Sequence, residues 1–186
     1  MIGHLANEFT LYMPDMLGYG ESERPYKRYS VPRLADGLTG FLDTLALDRV
    51  DMIGHSLGGK IVLELARRNP ERVDRLVLVS PMGFGRLSVP GMILGTSAWI
   101  FFQLTQITPP YPILDIRLSD PDLKSLPQVT TPTMVVWGRW DLFFPWTYAE
   151  RVRRAIQGTK VEILRWQAML HTNLRTNGLP KWFWNF

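Results

Sequence analysis

At 186 residues the chain has the length of one domain able to bury a sizeable core, and 46% hydrophobic against 20% charged residues is ordinary for a globular protein. A formal charge of +4 leaves no nucleic-acid footprint, because Arg67-Arg68 and Arg151, Arg153 and Arg154 fall in helix-like stretches and read as solvated faces. No cysteine is present, which excludes disulfides and thiolate metal sites, and the three histidines (His4, His55 and His171) form no ligand pattern, so no metal is expected.

In chain order, Met1–Glu8 lacks the basic start and long apolar core of a signal peptide, which predicts a cytoplasmic protein. Phe9–Met13 reads as a short strand, followed by the turn-rich Pro14-Asp15-Met16-Leu17-Gly18-Tyr19-Gly20-Glu21-Ser22. Leu34, Leu38, Phe41, Leu42 and Leu45 recur at helical spacing on one face, after a Pro32 suited to a first turn. Val50–Ile53 is an apolar β-type run, and Gly59–Arg68 a helix stopped by Asn69-Pro70. Arg75–Ser80 is a nearly continuous apolar strand of the kind buried on both faces, and Thr133–Gly138 is another. Trp146–Ile156 reads as a helix ending at Gly158, and Val161–Trp166 as a last strand. Strands alternating with helices predict an α/β protein: a mainly parallel sheet with flanking helices, in a single domain over residues 1–186.

Residues 83–127 interrupt this alternation. Arg86 and Asp115 bracket 28 uncharged residues, including Met92-Ile93-Leu94 and Ala98-Trp99-Ile100-Phe101-Phe102. Insertion between two core strands favours an apolar cap over a pocket. Surface contact with lipid is a second reading, and a membrane span a third. Against a span stand Gln103, Gln106, Thr96, Ser97, Thr105, two glycines and an exit through Pro110.

The most informative segment is Gly54-His55-Ser56-Leu57-Gly58, set between the Val50–Ile53 run and the helix that follows. G-x-S-x-G between a strand and a helix is the nucleophile elbow, a turn so tight that its serine takes a strained backbone. Glycines are expected to flank it because side chains there would collide with neighbouring elements. A serine hydroxyl is a weak nucleophile until a base takes its proton, and the base needs an orienting acid. His55 is in the elbow itself and is expected to point away from Ser56. His4 precedes the first strand. His171, in a loop after the last strand, is left as the base. Asp141 follows the strand Met134–Trp137, at the end where an open α/β sheet places its functional groups. Asp15, Asp120 and Asp122 are rival carboxylates.

Three segments together resemble the α/β-hydrolase superfamily, in its serine esterase and C–C hydrolase branch. They are the D-x-x-G-x-G-x-S turn at Asp15–Ser22, the elbow Gly54–Gly59, and Pro132–Asp141, which matches the acid strand. The resemblance runs from about residue 5 to 175 and is specific to the superfamily rather than to a substrate. It implies an α/β-hydrolase fold, a Ser56–Asp141–His171 triad in that chain order, an oxyanion donor at the Leu57 N–H, and no cofactor. The implied substrate is a small apolar acyl or aryl compound, an ester, thioester or vinylogous diketone. His55, Trp99, Phe101, Phe102 and Leu104 are expected to line its pocket, although residues at that spacing also suit a plain core.

Three departures from the superfamily pattern stand out. The two or three strands that precede Phe9 in other members, and the H-G loop that supplies a second oxyanion N–H, have no counterpart here. The helical cap is short, one or two helices against the larger lid usual in the superfamily, and the context Leu170-His171-Thr172 lacks the usual preceding glycine. These imply an α/β-hydrolase fold lacking its first strands, an N-terminally shortened form of a longer enzyme. In such a form Phe9–Met13 and Val50–Ile53 must pair directly or leave a gap. A non-catalytic remnant acting as a binding module is therefore the alternative to an active hydrolase. Substrate identity and oligomeric state are not written in any motif.

Overall fold

The computed structural model describes residues 2–26, 28–105, 113–114 and 126–165. A single helical turn, α1 (Ile2–Leu5), opens it, and Phe9–Met13 then runs without regular structure. That corrects the strand expected there. A short apolar run becomes a strand only where a ladder satisfies its backbone, and no strand pairs with this one among the described residues. Phe9, Tyr12 and Met13 are exposed instead, with the Tyr12 ring edge-on to Phe41 at 6.3 Å. A two-residue strand β1 (Arg28–Tyr29) pairs in parallel with β4 (Ile113–Leu114) beyond the cap.

Helix α2 (Val31–Thr44) begins where Ser30 Oγ accepts the Arg33 N–H at 3.4 Å, with Pro32 in the first turn. It buries Val31, Leu34, Ala35 and Leu42, the face its spacing predicts, while Leu45 lies just past its end and is exposed. The central sheet is fully parallel in the order β2 (Val50–His55), β3 (Val73–Val79), β5 (Thr133–Gly138), β6 (Lys160–Leu164). Helix α3 (Leu57–Arg68) packs between β2 and α2, and α5 (Tyr148–Ala155) lies against β5 and β6. Every residue of β5 is buried, as an interior parallel strand requires. In β3 the burial alternates instead: Leu76 and Leu78 are fully enclosed and their neighbours only partly so.

Strand β2 is one of the sheet's two outer strands among the described residues, and Ile53 on it is 41% exposed. The expected direct pairing with Phe9–Met13 does not form, and no strand pairs with the outer side of β2 among the described residues. The parallel register brings the C-terminal ends of β2, β3 and β5 to one edge: His55 sits opposite Val79, and Val79 opposite Val136. Ser56 and the loop carrying Asp141 both leave the sheet at that edge.

Candidate active site

Ser56 has φ 52° and ψ −116°, a conformation costly for a residue with a side chain. Three backbone hydrogen bonds hold it there. Its N–H donates to Val79 O at 3.0 Å, and its carbonyl accepts the N–H groups of Met82 at 3.0 Å and Lys60 at 3.3 Å. Ser56 occupies the N-cap of α3, but its hydroxyl makes no capping bond, so Oγ is not consumed by the helix. Leu57 is the first residue of α3, and its N–H is one of the donors that an α-helix leaves without an internal acceptor.

The tight turn depends on two glycines, and one differs from the expected pair. A Cβ on Gly54 would lie 2.6 Å from Gly58 O, and one on Gly59 would lie 2.9 Å from Pro81 Cβ. At Gly58 the same atom would meet nothing within 4 Å. Collision therefore explains Gly54 and Gly59 but not Gly58, which points along the open side of the first helical turn.

Asp141 is buried at the exit of β5. Its Oδ1 accepts the N–H of Phe143 at 2.8 Å and of Phe144 at 2.9 Å, which winds the loop around the carboxylate. Trp137 Nε1 donates to Phe144 O at 3.1 Å and ties the same loop to the buried strand. Oδ2 is equally buried and has no hydrogen-bond partner among the described residues. A buried carboxylate oxygen left in that state costs about 1–3 kcal/mol or more, so it calls for a donor. The rival Asp15 is exposed and already employed. Its Oδ2 accepts the Glu21 N–H at 3.1 Å and its carbonyl accepts the Ser22 hydroxyl at 2.6 Å. Asp120, Asp122 and His171 lie outside the described residues.

His55, expected to point away from Ser56, feels the Asp141 carboxylate. Desolvation lowers its pKa and the Asp141 charge opposes that shift, although the residue remains exposed by surface area. The lowered pKa means that the unfolded chain binds more protons than the folded one as pH falls through about 6.5. Stability contributed by neutral His55 is present above that pH and is lost as pH drops towards the folded-state pKa. Thermal midpoints between pH 7 and pH 5 should therefore fall less steeply for His55→Gln than for the unmodified protein.

Among the described residues of the cap there is one α-helix, α4 (Val89–Thr105), and it is tied to the acid loop, the one that carries Asp141. Ser88 N–H donates to Phe143 O at 2.8 Å, Ser88 Oγ donates to Leu142 O, and Ser88 Oγ accepts the Gly91 N–H at 3.1 Å. Gly91 is the buried residue of α4, where a Cβ would come 2.9 Å from Phe143 Cα. Ser88 was not singled out in the sequence; the readable signal is a capping serine followed by Val89-Pro90 in the first turn. Four of the expected pocket residues lie on this helix. Trp99, Phe101 and Leu104 are exposed, and Phe102 is half-buried with its ring edge-on to Phe101 at 5.5 Å. They are not core, and the described hydrogen bonds that tie α4 to the acid loop gather at its start.

Comparison with known proteins bears on this arrangement. Residues 1–110 match the family described as the alpha/beta hydrolase fold. An uncharacterized protein of Mycobacterium tuberculosis is 27% identical over 210 aligned positions, covering 86% of this chain and 62% of that protein. The chain thus spans less than two thirds of that relative's length. A 2-hydroxymuconate semialdehyde hydrolase of Pseudomonas sp. strain CF600 is 46% identical over 80 residues, 42% of this chain and 28% of that enzyme. In fold, the chain is similar to a meta-cleavage product hydrolase from Pseudomonas fluorescens IP01, with a TM-score of 0.76 at 21% identity over 95% of this chain and 78% of that one.

Proposed function

We propose that this chain, which belongs to the alpha/beta hydrolase fold family, is a serine hydrolase that acts on a carboxylic ester or related acyl substrate through an acyl-enzyme. The observation that carries the reading is the backbone of Ser56. A non-glycine residue at φ 52° between a parallel strand and a helix, with its hydroxyl left out of the helix cap, is a strained geometry suited to presenting a nucleophile. The unpartnered Oδ2 of Asp141 at the same sheet edge supports it, since an imidazole N–H would satisfy that oxygen.

In this reading Ser56 Oγ attacks the carbonyl carbon while His171 takes the hydroxyl proton. Asp141 holds the resulting imidazolium through Oδ2. The Leu57 N–H, at the positive end of α3, stabilises the oxyanion. Collapse of the tetrahedral intermediate breaks the ester C–O bond, and the departing alkoxide takes the proton from His171. Water, deprotonated by the same imidazole, then attacks the acyl carbon and releases the acid and the free serine. No step requires a cofactor. The likeness to an enzyme named for 2-hydroxymuconate semialdehyde extends the acyl class to C–C bonds beside a carbonyl, where the group expelled is a stabilised carbanion rather than an alkoxide.

A fluorophosphonate probe tests the reading. It should label Ser56, and labelling should vanish in Ser56→Ala and in His171→Ala while persisting in His55→Ala. Folded protein that resists the probe would instead favour a non-catalytic binding module. Labelling lost in His55→Ala but kept in His171→Ala would move the base into the elbow.

A further inference from the structure

Helix α4 has no charged residue in its 17 positions, and every residue from 92 to 101 is exposed. A surface helix normally shows one apolar stripe and one polar face. Here nearly three turns show apolar groups in all directions, with Ile93 and Trp99 at 61% exposure and Leu104 at 79%. The exposed apolar surface continues onto the loop to which α4 is bonded, through Trp140, Leu142 and Trp146. Across residues 86–105 and 138–148 the exposed charges are Arg86 and Arg139, both positive, and the one acid, Asp141, is buried. The Arg139 guanidinium lies over the Trp146 ring at 5.5 Å.

We propose that α4 and the Trp140–Trp146 loop form a face that seats on an anionic lipid surface, with the helix sunk among acyl chains and Arg86 and Arg139 at headgroup level. A second protein surface covers one side of a helix and would leave the opposite side of residues 92–101 wet. Lipid chains can surround it. Tryptophan and arginine side by side at the margin suit the interfacial layer, where rings take the boundary and guanidinium groups meet phosphate. The helix seats without crossing. At about 25 Å it is shorter than a hydrocarbon core of about 30 Å, and the hydrogen bonds of Ser88 and Gly91 fix its start to the globular body. No helix among the described residues is long and apolar enough to span a membrane.

The test is flotation with vesicles of phosphatidylcholine and phosphatidylglycerol in a two-to-one ratio, beside phosphatidylcholine alone. The protein should float with the anionic vesicles. An Ile93→Glu/Trp99→Glu/Leu104→Glu variant should lose at least about tenfold in binding with an unchanged thermal midpoint, because all three side chains are exposed. Arg86→Gln/Arg139→Gln should weaken binding to anionic vesicles by about fivefold per charge. Ser56→Ala should bind like the unmodified protein, so the result is separable from the hydrolase reading. Three outcomes would overturn the proposal: no flotation with either vesicle, flotation indifferent to the triple substitution, or a lipid-free dimer by light scattering that the triple variant converts to monomer.

Discussion

Asp141→Asn is expected to lower turnover of an activated ester by on the order of 10⁴ while barely moving the thermal midpoint. Asparagine keeps a side-chain oxygen where Oδ1 accepts the Phe143 and Phe144 N–H groups, so the loop retains its winding. What it loses is the negative charge that favours an imidazolium, and it offers an NH₂ where Oδ2 now waits for a donor. Asp141→Ala separates the two duties. It strips the acceptor from both N–H groups at about 1–3 kcal/mol for each one left unmet, and should lower stability as well as activity. Rates with a short p-nitrophenyl ester, measured beside calorimetric midpoints, read both. An asparagine variant within tenfold of the original rate would place the orienting acid elsewhere.

The second large effect belongs to the elbow glycines, and its sign should reverse within four residues. Gly54→Ala puts a methyl 2.6 Å from a backbone carbonyl oxygen that cannot rotate away, which forces α3 off β2. The cost should reach about 3 kcal/mol, the upper end of typical overpacking penalties, and lower the midpoint by several degrees. Gly58→Ala puts the same methyl into open space in the first turn of α3, without a positive φ to violate. Alanine's helix preference should then raise stability by about 0.5–1 kcal/mol. Denaturant melts of the two variants decide the point. Equal destabilisation would mean that both glycines are needed for space.

Several of these features are legible in the residues, for identifiable reasons. The strand over residues 133–138 announces itself because an interior parallel strand is apolar without a break, the one begun at residue 73 is legible only from Arg75 onward because Asp74 and Arg75 interrupt its apolar run, and α2 is legible because its face repeats at helical spacing. The elbow is legible because strand, G-x-S-x-G and helix coincide at Ser56. Phe9–Met13 misleads because a short apolar run satisfies the local pattern, whereas a strand exists only if a neighbour supplies a ladder. The glycine pattern is ambiguous for a related reason. Gly58 and Gly59 are adjacent letters, and only the packing of Pro81 against α3 decides which is confined. The cap misleads in a third way. Its apolar character can be read from composition, but what an apolar helix touches depends on the fold around it, and Trp99 and Leu104 are exposed. His171, the proposed base, lies outside the described residues, so the proposed triad rests on Ser56 and Asp141.

The hydrogen bonds of Ser88 carry a consequence for anyone who would retune this protein. Residues 88–91 are spelled as the start of the cap, yet they brace Leu142 and Phe143, the peptides that wrap Asp141. The seam between an exchangeable module and its chassis therefore falls after Gly91, not at the first apolar letter. A graft joined at residue 92 would inherit an intact acid, and one joined at residue 87 would have to rebuild it.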